Sequence, residues 1–261
     1  MVFSKKSLGQ NFLIDKNIIK KIINSTIIKN RNIIEIGPGK GALTDEILKK
    51  NPKSLKLIEK DHQLCEYLKN KYLNNKNIKI FNRDILNFNL CKVSEKNSIL
   101  FGNLPYNISS QILVKIIKFN NLTSKFTNII FMFQKELGEK IISRFPSSNY
   151  GRLSILASYK LEIKNKFFIS ANCFFPKPKV TSMVIHFKPK FNSQYKIKKI
   201  ENLEKITNIF FSNKRKMINK SLKKVLADSQ IKKISNLKVS SRPSEISPET
   251  YYKITELTEK N

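Results

Sequence analysis

Asn32 to Lys50 reads NIIEI, GPGKG, then ALTDEILKK, and this run restricts the fold more than any other. A short apolar stretch breaks into three glycines within five residues and then passes into good helix formers. Strand, glycine turn and helix in that order form the nucleotide-binding arrangement: the glycines let backbone approach a ligand beside a helix N-terminus. Gly37, Gly39 and Ala42 satisfy GxGxxA, so the loop by itself is compatible with a dinucleotide. Glu35, two residues before the first glycine, and the stiffening Pro38 point the other way. They suit S-adenosylmethionine, a ligand with no phosphate to cradle.

The same alternation continues for roughly the first 190 residues, which predicts a doubly wound sheet with binding at the C-terminal strand ends. Leu55 to Glu59 is a second strand ending in an acid. An acid about twenty residues past the glycine loop can accept from both hydroxyls of a ribose, the alternative being a surface charge pair. Ile78 to Asp84 is a third strand, and Asp84 there can accept from an adenine amine or cap a helix. Helices are expected at 15–27 with Ile18, Ile19, Ile22, Ile23 and Ile27 packing, and at 61–73 with Leu64, Tyr67, Leu68 and Leu73 packing. Further helices are expected at 109–119, 134–145 and from Tyr150, and further strands at 128–133, 160–169 and 181–187.

Ser98 to Tyr106 (SILFGNLPY) is an apolar strand that breaks at Gly102 into Asn-Leu-Pro-Tyr. Pro105 fixes its own φ and biases Leu104 away from helical geometry, so the segment is rigid. A side-chain amide at Asn103 can accept from an exocyclic amine while Tyr106 stacks on the ring, the usual way of holding an unstacked base. A plain strand exit is the alternative. Cys173 to Lys179 (CFFPKPK) is stiff, basic and aromatic: either a wall for a base beside a phosphate chain or a hairpin loop with buried rings. Phe3 to Leu13 is a polar-aromatic arm that either crosses the site or is a frayed terminus.

The balance of 50 basic to 19 acidic residues gives a formal charge of +31, which points to a polyanionic partner. Part of the excess follows from a composition rich in Lys, Asn and Ile. Cys65, Cys91 and Cys173 are far apart and His62 and His186 are isolated, so neither a disulfide frame, a zinc site nor a histidine-based triad is expected. No apolar run approaches ~18 residues, so a cytoplasmic protein without membrane association is expected. After Pro189 the strands stop. Ser212 to Leu226 has six basic residues in fifteen and no acid, with Met217, Ile218, Leu222, Val225 and Leu226 as an apolar side. This predicts one packed helix whose cationic face, including Lys214, Arg215 and Lys223, is either an RNA-backbone surface or merely solvated.

The ordered set GQNFL, EIGPGKGALT, LIEKD, RDIL, FGNLPYNISS, YGRLS and FFPKPKV closely resembles the KsgA-type small-subunit ribosomal RNA adenine dimethyltransferases, from about Lys6 through the C-terminal helices. The resemblance implies an α/β fold: a Rossmann-like class I methyltransferase with a mostly parallel seven-stranded sheet, residues 1–190, and a small all-α basic RNA-binding domain, residues 191–261. It implies transfer of methyl groups from S-adenosylmethionine, without a metal, to the exocyclic amines of two adjacent adenosines near the 3′ end of small-subunit rRNA. The partner is then rRNA within a pre-ribosomal particle, met by a monomer. By motif match, Asn11, Leu13, Gly37, Glu59, Asp84 and Asn103 contact the methyl donor, and Tyr106 and Phe174 sandwich the adenine. Asn103 and the Leu104 carbonyl hold its amine. Phe175 and Lys177 depart from the family pattern, where smaller residues or proline are expected.

Overall fold

A computed structural model describes residues 9–191 and 194–260. The elements run β1 (Phe12–Leu13), α1 (Lys16–Ile23), β2 (Asn32–Ile36), α2 (Ala42–Leu48), β3 (Ser54–Glu59), α3 (His62–Lys71), β4 (Ile78–Asn82), β5 (Ser98–Asn103) and α4 (Ser109–Ile117). Next come α5 (Leu122–Lys125), β6 (Phe126–Gln134), α6 (Lys135–Ile142), α7 (Arg152–Lys160), β7 (Leu161–Ile169), β8 (Phe174–Phe175) and β9 (Ser182–Pro189). The remaining helices are α8 (Ile200–Phe211), α9 (Asn219–Lys223), α10 (Asp228–Ile231) and α11 (Pro248–Thr258). Phe3 to Leu8 of the arm lie outside the described residues.

The main sheet has seven strands in the order β4-β3-β2-β5-β6-β9-β7. The ladders of β4, β3, β2, β5 and β6 are parallel, and β9 joins β6 antiparallel. Sequential strands move outward from β2 in one direction and then, from β5, in the other. The reversal falls between β2 and β5, where Ile36 pairs with Gly102. In open α/β sheets a crevice opens at such a switch point, outside the C-terminal ends of the two strands. β5 and β6 are apolar nearly throughout because both their faces are covered.

Local chemistry accounts for most element ends. The Asp15 carboxylate caps α1, accepting from the amides of Asn17 and Ile18 at 2.9 Å, and Asp61 caps α3 through Gln63. Both helices end earlier than their periodicity predicts. Ile27 and Leu73 therefore fall beyond the last turn and are exposed, Ile28 being buried in place of Ile27. Tyr67 lies within α3 but on its open side.

The described chain forms two compact units, one of residues 9–138 with 163–189, the other of 139–162 with the chain beyond 190. The second unit is all-helical but for the first residues of β7. It includes the segment 139–162, which the sequence reading assigned to the first domain. Its tyrosines explain this: the Tyr150 hydroxyl donates to the Ile246 carbonyl at 2.9 Å, that of Tyr252 donates to Ile155 at 3.1 Å, and the Tyr159 and Tyr252 rings lie 4.9 Å apart. Ser212 to Leu226 is not one helix. Residues 212–218 form an open turn, and only the five residues of α9 are helical. Ile218 and Leu222 are buried as expected, whereas Met217 is exposed.

Candidate active site

A cavity of about 250 Å³ opens at the switch point, lined by the arm, the glycine loop, the ends of β3 and β5 and the turn after β4. Asn11, Leu13, Gly37, Glu59, Asp84, Asn103, Leu104 and Tyr106 all line it, as does Glu35. The glycine loop takes left-handed backbone at Gly37, Gly39 and Gly41. At Gly39 the requirement is double, because a Cβ there would stand 2.9 Å from the Phe12 ring.

Glu59 is the acid the sheet delivers to this cavity. It is 7% exposed, which rules out the surface-pair alternative. Its Oε2 accepts from the Gly39 amide at 3.2 Å and its Oε1 from the Asp61 amide at 2.9 Å. Those two bonds fix the carboxylate and leave acceptor capacity facing the cavity, which a vicinal diol can use. Burial pushes its pKa above the ordinary carboxylate value, and the backbone amides of Asp61, Gly39 and Lys60 oppose that. Glu35 is buried deeper still. Desolvation raises its pKa to about 8, and the Thr44 hydroxyl donates to its Oε2 at 2.7 Å.

β4 ends at Asn82, so Asp84 belongs to the following turn and not to the strand. Its Oδ1 accepts from the Leu86 amide at 2.9 Å and its Oδ2 pairs with Lys60 at 2.8 Å. No helix follows Asp84 directly, so the helix-capping role left open by the sequence is not met; the carboxylate caps the 85–87 turn on the cavity wall. The Lys60 ammonium holds this carboxyl below its usual pKa, so Asp84 stays an acceptor.

The NLPY turn is built by Gly102. A Cβ there would meet the Leu104 side chain at 2.6 Å, so only glycine lets buried Leu104 fold back over the end of β5. That fold-back sends Asn103 and Tyr106 to the cavity side. The Asn103 amide donates to the Asn11 carbonyl at 2.9 Å, which ties the arm to the turn across 92 residues and leaves its Oδ1 without a donor among the described residues. The Tyr106 hydroxyl is bonded to Ser182 of β9, which fixes the ring.

Phe174 falls elsewhere. The arm pairs with the CFFPKPK loop as a two-residue antiparallel ladder, Phe12 opposite Phe175 and Leu13 opposite Phe174. Leu13 and Phe174 turn inward together, and Phe174, 2% exposed, is part of the hydrophobic core and does not line the cavity. The outer ring of the pair is Phe175. Lys214, Arg215 and Lys223 are exposed in the second unit. Three participants escaped the sequence reading: Phe12 on the glycine loop, Ser182 behind Tyr106, and Tyr72, whose hydroxyl donates to Asp45 at 2.7 Å and lies 3.3 Å from the Gly41 carbonyl. A tyrosine at a helix end carries no local signal of such a bond.

Seven strands with the antiparallel β9 set inside the sheet, a glycine loop after β2, an acid ending β3 and NLPY ending β5 define a class I, S-adenosylmethionine-dependent methyltransferase. The model of the ribosomal RNA adenine dimethylases matches residues 2–260, and the chain belongs to that family. It is 45% identical over 254 residues to the ribosomal RNA small subunit methyltransferase A of Pelagibacter ubique, covering 97% of this chain and 96% of the relative. The protein of the same name from Malacoplasma penetrans is 38% identical, covering 97% and 91%. Among solved structures the fold is shared with a dimethyladenosine transferase from Plasmodium falciparum (TM-score 0.73, 24% identity, 93% and 95% covered). It is also shared with the 23S rRNA methyltransferase ErmE (TM-score 0.70, 20% identity, 95% and 99% covered).

Proposed function

We propose that this protein transfers methyl groups from S-adenosylmethionine to the exocyclic amines of two adjacent adenosines near the 3′ end of small-subunit rRNA. It does so as a monomer in the cytoplasm, on a pre-ribosomal particle. The observation that carries this reading is the convergence of the glycine loop, Glu59 and the NLPY turn on one cavity, in a chain whose family is the rRNA adenine dimethylases.

Bound there, S-adenosylmethionine supplies an electrophilic methyl on a sulfonium. Glu59 takes the ribose hydroxyls, Asp84 the donor's adenine amine, and Asn11, Leu13, Gly37 and Asn103 complete the contacts. The target adenine amine is a poor nucleophile because its lone pair is delocalised into the ring. Asn103 Oδ1 and the Leu104 carbonyl accept its two protons, which favours a pyramidal nitrogen, while Tyr106 stacks on the ring. Once alkylated, that nitrogen sheds its proton readily, so no strong base is needed. Catalysis is then mainly positioning, worth ~7–11 kcal/mol for well-aligned reactants. The proposed Phe174 face of the sandwich requires that side chain to leave the core on RNA binding. Lys214, Arg215 and Lys223 hold the RNA backbone.

The test is incubation of the protein and labelled S-adenosylmethionine with immature small subunits from a strain lacking the modification, followed by mapping of the label. Label elsewhere than on two neighbouring adenosines near the 3′ end refutes the reading. Asn103→Ala should depress the single-turnover rate at saturating substrates while RNA binding survives.

A further inference from the structure

Phe12 and Phe175 are directly opposed in the short β1–β8 ladder, so their side chains leave the same face. Phe12 lies against Gly39 and lines the cavity. Phe175, across the ladder, is 66% exposed. Ile14 continues the face: its amide donates to the Cys173 carbonyl at 2.8 Å, and its side chain is exposed and lines the cavity mouth. The rim of the cavity next to the arm therefore carries an apolar step capped by a bare aromatic ring.

Charge surrounds that step. Lys177 and Lys179, in the same loop, are exposed, and neither has a carboxylate partner among the described residues. The Lys40 ammonium lies 5.1 Å from the centre of the Phe12 ring. A solvent-facing ring followed two and four residues along its loop by exposed lysines is the combination that receives an unstacked base with its phosphates.

Resting on the function proposed above, we propose that Phe175 is a stacking platform for a nucleobase adjacent to the adenosine undergoing methylation, with Lys177 and Lys179 on the flanking phosphates. An adenosine taken out of its stack leaves its neighbour with an uncovered face, and Phe175 stands one cross-strand step from a wall of the cavity the adenosine enters. The subsite selects for an unpaired, splayed segment and not for base identity, because every base offers a face.

The test uses the full-length parent protein with Phe175→Ala, Phe175→Leu and Phe175→Trp, assayed for label transfer against the concentration of unmodified small subunits. Phe175→Ala should raise KM for the particle about tenfold, the loss expected of one stacked base, with unchanged S-adenosylmethionine affinity and thermal midpoint. Phe175→Leu should resemble Ala, and Phe175→Trp should restore the parent KM. A parent-like KM for Ala overturns the proposal, as does a parent-like KM for Leu, which would make the contact apolar and not stacking. A loss of donor affinity in Phe175→Ala also overturns it, since the ring would then act through the arm. A parent that labels no adenosine defeats the proposed function itself, whereas a parent that labels and an Ala variant that matches it defeat only the subsite.

Discussion

Glu35→Gln isolates the effect of a buried acid beneath the glycine loop. In the folded chain the carboxyl keeps its proton up to about pH 8, whereas an ordinary glutamate releases it near 4.5. Between those pH values the folded state holds a proton that the unfolded state has released, so stability falls as pH rises. At about 1.36 kcal/mol per pH unit, the interval between those two values sets a ceiling of roughly 5 kcal/mol on that loss. Glutamine preserves an acceptor for the Thr44 hydroxyl and cannot ionise. Other titrating groups contribute equally to parent and variant, so the difference between them reports Glu35. The two should differ little at pH 4.5, and the variant's advantage should grow steadily to pH 8. At about 2–4 °C per kcal/mol for a domain of this size, the gap in thermal midpoint should reach on the order of 10 °C. Far-ultraviolet circular dichroism is the suitable probe because the chain has no tryptophan. Parallel curves for the two proteins across this range would refute the reasoning.

Glu59→Ala should weaken S-adenosylmethionine binding, since each charge-assisted bond to a ribose hydroxyl is worth ~1.5–3 kcal/mol; unchanged affinity by calorimetry counts against that role. Gly39→Ala forces a side chain into left-handed backbone at φ +58° and into the Phe12 ring. A strain of about 1–2 kcal/mol and a displaced arm should lower both stability and donor affinity, and a variant indistinguishable from the parent in melting and titration would show that the arm does not press on the loop. Replacing Lys214, Arg215 and Lys223 with Gln should flatten the salt dependence of RNA binding by roughly one released counterion per residue while donor affinity holds; an unmoved slope makes them merely solvated. Tyr106→Ala should remove a stacking face worth ~1–3 kcal/mol and slow methylation at low subunit concentration, with donor binding intact.

The sheet and the cavity were legible because their signals are local. Apolar runs ending in glycine or acid mark the strand exits, and a doubly wound sheet collects those exits at one edge, so Gly37, Glu59 and Asn103 could be placed together from sequence. What was illegible depends on contacts far along the chain. Which of Phe174 and Phe175 points inward is decided by pairing with Phe12 and Leu13, about 160 residues away, and a slip of one residue exchanges the two faces. The membership of 139–162 rests on hydroxyl bonds to the C-terminal helices that no periodicity announces. Ser212 to Leu226 has helical spacing, but the Lys214-Arg215-Lys216 run has no apolar residue to pack and the chain opens into a turn.

Two methyl transfers to one amine require fresh donor in between, and the arm lines the cavity proposed to hold it. Among the described residues, the arm is held by two ladder pairs, the Ile14 amide's bond to Cys173, the Asn103 amide's bond to Asn11 and a bond from Gln10 to Asp61. Lifting so short a ladder is a local opening that leaves the sheet untouched. The bond from Asn103 to the Asn11 carbonyl breaks in the same movement, and the amide that should face the nucleophile loses its orientation. If donor exchange requires the arm to lift, exchange and chemistry exclude one another, and amide hydrogen exchange at Ile14 should quicken in step with donor release.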